Sequence, residues 1–126
     1  MEKVNTIAPR HTLVLAVDGV APVAKIQQQR QRRYRSAQEN VDPVFDTARI
    51  SPGTPLMKRL DEQLRLWLNI NKSMLPQTVI YSSYMVRGEG EHKILYYFRN
   101  GDIPTIHGGA HIVDGVDADL YMLFLV

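Results

Sequence analysis

Five acids, Asp18, Glu89, Glu91, Asp117 and Asp119, stand in three short clusters of a 126-residue chain. Two clusters are acid-x-acid pairs, in R-G-E-G-E-H-K and V-D-A-D-L, and the third is a single Asp closing the apolar run T-L-V-L-A-V-D. Carboxylates brought together repel and raise one another's pKa unless cations neutralise them. Two divalent ions about 3.5–4 Å apart would do so while clamping the attacking and leaving oxygens of a phosphodiester. The competing reading is that each acid satisfies free amides at a helix start. Capping accounts for one acid per helix, but not for two acid-x-acid pairs and a strand-end Asp aimed at one edge. On the pattern alone, a metal site and a set of caps with surface ion pairs both stay open.

Cations follow the first acid closely. At about 100° per residue, Lys25, Gln29, Arg32 and Ser36 fall within about 60° of helical arc, with Arg33 beside them. Arg offers forked donors and Lys a point charge, so this face is a candidate phosphate receptor next to Asp18. A solvated basic helix is the ordinary alternative. Val23, Ile26, Tyr34 and Ala37 lie on a different side and are expected to pack against a sheet.

The elements that must position these groups alternate between strand and helix. Thr12 to Asp18 reads as a buried parallel strand with the acid at its C-terminal end. Val23 to Gln38 reads as a helix, and Asn40 to Gly53, with Pro43, Pro52 and Gly53, as a loop. Thr54 is expected to cap a helix with Pro55 at its first position and Leu56, Leu60, Leu64, Trp67 and Leu68 on one stripe. Thr78 to Ser82 reads as a strand, Glu91 to Arg99 as a helix ended by Asn100-Gly101, and His111 to Val113 as another short strand. Asp119 to Leu125 fits strand or helix, with the leading acid suiting an N-cap. Such alternation implies an α/β fold with a mainly parallel sheet, whose functional groups gather at the carboxyl ends of the strands.

Composition narrows the chemistry. A chain of this length with 44% hydrophobic residues supports one domain. With no cysteine, thiolate metal sites and disulfides are excluded, which leaves hard ions such as magnesium or manganese. Residues 1–36 carry seven Lys/Arg against two acids, whereas residues 101–126 carry four Asp and no Lys or Arg. That asymmetry suits a polyanion held by cations and cut beside carboxylate-bound metal, although charge alone also fits an ordinary solvated surface. The N-terminus lacks the apolar core of a signal peptide, and no run approaches the roughly 20 apolar residues of a membrane helix. A soluble intracellular protein is expected, cytoplasmic or nuclear. His11, His107 and His111 show no metal spacing, His92 reads as a helix-surface or packing residue, Trp67 as core, and Gly108-Gly109 as a turn.

Four ordered blocks carry a resemblance: L-A-V-D-G-V-A-P-V-A-K-I-Q-Q-Q-R-Q-R-R-Y-R-S-A-Q-E at 15–39, F-D-T-A-R-I-S-P-G-T at 45–54, V-I-Y-S-S-Y-M-V-R-G-E-G-E-H-K-I at 79–94 and G-V-D-A-D-L at 115–120. Together they resemble the eukaryotic 5′→3′ exoribonuclease (XRN) family from Leu13 onward. The resemblance implies a PIN-like, three-layer nuclease core related to flap nucleases. It implies that Asp18, Glu89, Glu91, Asp117 and Asp119 bind Mg2+ or Mn2+, and that Lys25, Gln29, Arg32 and Arg33 bind the 5′-monophosphate of single-stranded RNA, with Lys25 also near the scissile phosphate. The function implied is metal-dependent RNA decay, with 1–11 a variable start, 12–38 the Asp strand and basic helix, 39–53 a loop and 54–126 the remaining acid-bearing part.

The departures from the family pattern bear on activity. The family's upstream strand, with a further metal-binding Asp and a His, is expected to be missing, as is the part beyond V-D-A-D-L, and the loops look shortened. Val23, Ala48 and Arg87 stand where a basic residue, Asn and Pro are usual. The alternative function is therefore a catalytically impaired fragment that binds RNA 5′ ends or a partner protein, including a chain that supplies the missing parts. A flap-type endonuclease is disfavoured by R-R-Y-R-S-A-Q.

Overall fold

A computed structural model of the chain describes residues 2–39 and 49–125, so most of the expected loop at 39–53, including Ala48 and residues 45–48 of the second block, lies outside the described residues. In chain order the elements are α1 (Glu2–Ile7), β1 (Thr12–Ala16), α2 (Val23–Glu39), α3 (Pro55–Ile70), a 3-10 turn at Lys72–Met74, β2 (Thr78–Ser82), α4 (Gly90–Arg99) and α5 (Asp119–Phe124). β1 and β2 pair in parallel, Thr12 opposite Thr78 through Ala16 opposite Ser82. The fold is α/β with a small parallel sheet. Among the described residues no helix is long and apolar enough to cross a membrane.

Local chemistry explains where α3 begins. Thr54, in extended geometry, accepts a hydrogen bond from the Met57 amide at 3.3 Å, and Pro55 occupies the first turn where its missing N–H costs nothing. The side turned inward matches the expected stripe at Leu64, Trp67 and Leu68 but is rotated toward Met57 and Asp61 in the first two turns. Met57 and Asp61 are buried, Leu64, Trp67 and Leu68 half-buried, while Leu56 and Leu60 face outward. The rotation has a polar cause. The Tyr81 hydroxyl on β2 donates to Asp61 Oδ1 at 2.7 Å, Arg65 Nε donates to Oδ2 at 2.8 Å, and the Arg65 guanidinium lies 5.2 Å from the Tyr81 ring centroid. A buried carboxylate holding both lone-pair directions satisfied is directional, and apolar contact is not.

Other elements depart from expectation for related reasons. β1 is half-buried throughout instead of fully covered, and among the described residues Ala21, Met57 and Ile103 are the buried apolar side chains. Residues 111–113 form no strand. The Phe98 ring of α4 meets His111 edge-on at 5.0 Å and Phe124 of α5 at 5.5 Å, so this segment is held by side chains and not by a backbone ladder. The apolar side of α2 does not pack on the sheet: Val23 and Tyr34 are 78% and 68% exposed, and Ile26 alone is half-buried, while the Ala37 side chain lies outside the described residues. α1 was not foreseen; Lys3 ties it to Asp114 at 2.8 Å. Gly101 and Gly108 adopt positive φ, ending α4 and turning the chain at 106–109, where Gly109 N donates to Ile106 O at 2.8 Å.

Asp61 feels opposing influences. Burial, the largest, pushes its carboxyl up, but the hydrogen bonds from Arg65 and Tyr81 and the Arg65 charge together hold it below its ordinary value. Burial and the bond to Asp61 push the Tyr81 phenol well up, so the hydroxyl stays a donor. A depressed carboxylate stabilises the fold above its unfolded pKa of about 3.9, and that contribution is lost as pH falls through the lower folded value. Tyr81→Phe leaves Asp61 Oδ1 without its donor and is expected to cost about 1–3 kcal/mol at neutral pH. Urea melts of both proteins at pH 7 and below pH 4 check this, and a stability gap that fails to narrow in acid would contradict the latch.

Candidate metal centre at the end of the parallel pair

Because β1 and β2 run parallel and in register, both chains leave the sheet at the same edge. One further bond, Val17 N to Ser82 O at 2.9 Å, extends the pairing past the strand ends. The two exit loops then interlock, Gly19 N donating to Gly88 O at 2.9 Å and Gly88 N to Val20 O at 3.0 Å. Their approach leaves no room for a side chain at Gly19, where a Cβ would sit 1.8 Å from Val86 O. Gly88 meets the same geometry with a φ of +101°.

Beneath this junction lies Lys93. Its side chain is buried, and Nζ donates to Val17 O at 2.7 Å and Ser83 O at 2.9 Å, so one ammonium from α4 fastens both strand ends. Burial lowers its pKa, and the charge of Asp18 opposes that shift. The sequence held little sign of this role, because a single Lys in a mixed helix usually points outward.

The acids are arranged on this frame. Asp18 Oδ1 accepts from the Gly90 amide at 2.6 Å, capping α4 from 72 residues away. Gly90 is tightly seated there, a Cβ on it falling 3.1 Å from Ala16 O and 3.2 Å from Asp18 Oδ1. Glu89 occupies the N-cap position of α4 but its carboxylate makes no cap; Glu89 Oε2 lies 3.3 Å from Lys25 Nζ instead. Glu91 enters the first turn half-buried. Asp117 and Asp119 do not follow a strand as expected. Asp117 arrives on an irregular run and Asp119 opens α5, with Ala118 and not Asp119 at the cap position and Asp117 Oδ1 accepting from Asp119 N at 3.4 Å.

Two groups of possible ligand atoms result. Glu91, Asp117 and Asp119 each bring an oxygen within 4.8 Å of the others, and Glu89, Glu91 and His92 do the same with carboxylate oxygens and an imidazole nitrogen. Glu91 belongs to both. His92, read from the sequence as a surface or packing residue, stands three positions after Glu89 on the same helical side, a spacing that could have drawn attention to it. The donor set is carboxylate with one imidazole and no thiolate, which fits a hard divalent cation. Burial, then Asp117 and Glu89, raise the Glu91 carboxyl above its ordinary value, with His92 opposing.

The basic face reaches the site at one end. Lys25 in the first turn of α2 contacts Glu89, Gln29 one turn on is half-buried, and Arg32 is exposed. Arg33 lies on α2, its side chain outside the described residues. Among the described residues, Lys25 is the one side chain ion-paired to an acid of the cluster.

A family model described as the XRN 5′-3′ exonuclease N-terminus matches residues 1–44 and 38–126. The chain belongs to this family. Human 5′-3′ exoribonuclease 1 is 40% identical over 140 residues, covering 94% of the chain and 8% of the human protein. A 5′-3′ exoribonuclease 2 from Emericella nidulans is 37% identical over 157 residues, covering 97% of the chain and 15% of that protein. Another from Eremothecium gossypii is 37% identical over 153 residues, covering 96% and 16%. The chain thus spans a small fraction of these XRN relatives. Each aligned span is longer than the 126-residue chain, so the aligned regions of the relatives include positions without a counterpart in this chain.

A carboxyl raised in the folded state contributes stability below its unfolded pKa of about 4.3, and that contribution is lost as pH rises through the raised folded value. Without divalent ions at pH 7, Glu91→Gln is therefore expected to stabilise the fold, by a few tenths to about 1 kcal/mol for a partly exposed group. The gain should vanish near pH 4. Thermal melts in chelator at both pH values measure it, and a variant less stable than wild type at pH 7 would refute the account of Glu91 as a carboxylate raised by burial and its acidic neighbours.

Proposed function

We propose that this chain is the acid-bearing part of a 5′→3′ exoribonuclease catalytic region that hydrolyses 5′-monophosphorylated single-stranded RNA with Mg2+ or Mn2+. The observation that carries the reading is the meeting of Asp18, Glu89, Glu91, Asp117 and Asp119 at the exit edge of a parallel strand pair, beside Lys25, in a member of the XRN family. The names of the relatives, all 5′-3′ exoribonucleases, support the reaction class. The α/β order and the parallel pair are compatible with a PIN-like three-layer core, in which 12–38 and 54–126 act as one catalytic unit joined through 39–53.

In this reading Glu91, common to both ligand groups, would serve two ions, Asp117 and Asp119 completing one donor set and Glu89 and His92, with Asp18 nearby on the Gly90 amide, the other. The bound ions would supply a water of lowered pKa and positive charge to offset the leaving oxygen. The residues of the chain do the positioning. Lys93 and the interlocked loops fix the strand ends so that the carboxylates cannot spread apart, and Lys25, Gln29, Arg32 and Arg33 receive the terminal phosphate from one helical face. A terminal monophosphate carries more charge than an internal phosphodiester, so it gains more from two guanidinium groups and an ammonium.

The test uses the purified 126-residue chain with RNA oligomers bearing a 5′-phosphate or a 5′-hydroxyl. Arg32→Ala combined with Arg33→Ala is expected to weaken binding of phosphorylated RNA roughly tenfold or more and hydroxyl RNA much less. Magnesium-dependent shortening from the 5′ end should disappear in Asp117→Ala. Equal losses for both RNAs would reduce the face to a nonspecific phosphate contact, and phosphorylated RNA that is bound yet left intact would select the non-catalytic 5′-end-binding reading.

A further inference from the structure

The ion pair between Lys25 and Glu89 places a cation of the phosphate face inside the acid cluster. Lys25 Nζ is 3.3 Å from Glu89 Oε2, and Glu89 is largely shielded, 13% exposed at the side chain against 40% for Lys25. Besides Glu89, the charges of Asp119 and Glu91 also raise the Lys25 pKa, though they contribute less. The other ammonium at the junction, Lys93, is committed to two backbone carbonyls and cannot leave without freeing both strand ends. Among the described residues the Lys25 ammonium has no such backbone tie. It hangs from the first turn of α2 on a flexible stem, on the same helical face as Gln29 and Arg32.

We infer that Lys25 is an exchangeable counter-ion: in the absence of divalent metal it neutralises Glu89, and when a divalent ion takes Glu89 it swings to a phosphate held on α2. This rests on the reading of the acids as a metal site and adds a coupling between the two halves of the centre. The physical basis is charge conservation in a small volume. Glu89 can be satisfied by the ammonium or by a cation of twice the charge, and either arrangement leaves the other positive group seeking an anion. A substrate phosphate supplies that anion, so metal and phosphorylated RNA should each favour binding of the other. The lysine thereby weakens metal binding in the free protein while strengthening substrate binding once metal is present.

The test is unusual in sign. Removal of a metal-site residue commonly weakens metal binding, whereas Lys25→Met should tighten Mn2+ binding by the full chain roughly fivefold, read by electron paramagnetic resonance of free Mn2+. Lys25→Arg, which keeps the charge, should stay near wild type. In parallel, affinity for a 5′-phosphorylated RNA oligomer in Ca2+ should fall several-fold in Lys25→Met, and the gain in affinity on adding Ca2+ should be smaller than in wild type. Thermal melts establish that each variant is folded. If wild type binds no Mn2+, the metal-site reading fails and this inference with it. If wild type binds Mn2+ and Lys25→Met binds it equally or more weakly, the inference alone is overturned.

Discussion

The hydrogen bond from the Gly90 amide to Asp18 joins the end of the first strand to the start of the helix that follows the second, and the remaining geometry of the site is built on it. A helix start needs acceptors for its free amides, and a strand-end carboxylate needs donors. Each supplies the other across a sequence separation of 72 residues. With Asp18 doing the capping, Glu89 in the cap position is released from it and turns to Lys25. The capping reading of the sequence thus holds for Asp18, while the neighbouring Glu89 pairs with Lys25 instead.

The gathering of the acids is unfavourable by itself, and the fold carries the cost in its frame. Lys93 draws Val17 and Ser83 together with one buried ammonium, and the Gly19 and Gly88 loops admit no side chain between them. Carboxylates on a yielding frame would separate until their repulsion was spent. A sheet of two strands is a slight support for such a load. Polar fasteners take the part that a thicker apolar core plays elsewhere, with Asp61, Arg65 and Tyr81 locking α3 to β2 in the same manner.

The sequence was legible wherever a local rule decides the outcome. Thr54-Pro55 marks a helix start by hydrogen-bond chemistry alone, Asn100-Gly101 marks a stop, and an apolar run ending in Asp marks the strand that delivers Asp18. It was misleading where long-range polar contacts overrule apolar periodicity. The α3 stripe beginning at Leu56 is regular, yet Asp61 and Met57 displace Leu56 and Leu60 from the inward side, because a buried carboxylate accepts only certain directions. The 111–113 run has strand composition, but its position is set by Phe98 and Phe124, residues that no window around it contains. Which acids lie near one another was suggested by their pairing in sequence; that Lys25 points into them, that His92 joins them and that Lys93 underlies them depend on the register of two strands.

The basic helix α2 is 17 residues long, yet its described contacts with the body of the protein are confined to its first turns, around Lys25 and Ile26. Helices of that length are marginal in water when they bury little surface, and α2 carries three arginines within four positions, Arg30, Arg32 and Arg33, whose mutual repulsion opposes coiling further. An anion that bridges one face relieves that repulsion and is bound well only while the face exists. An anion taken up on that face would therefore be linked to the coiling of α2, each favouring the other.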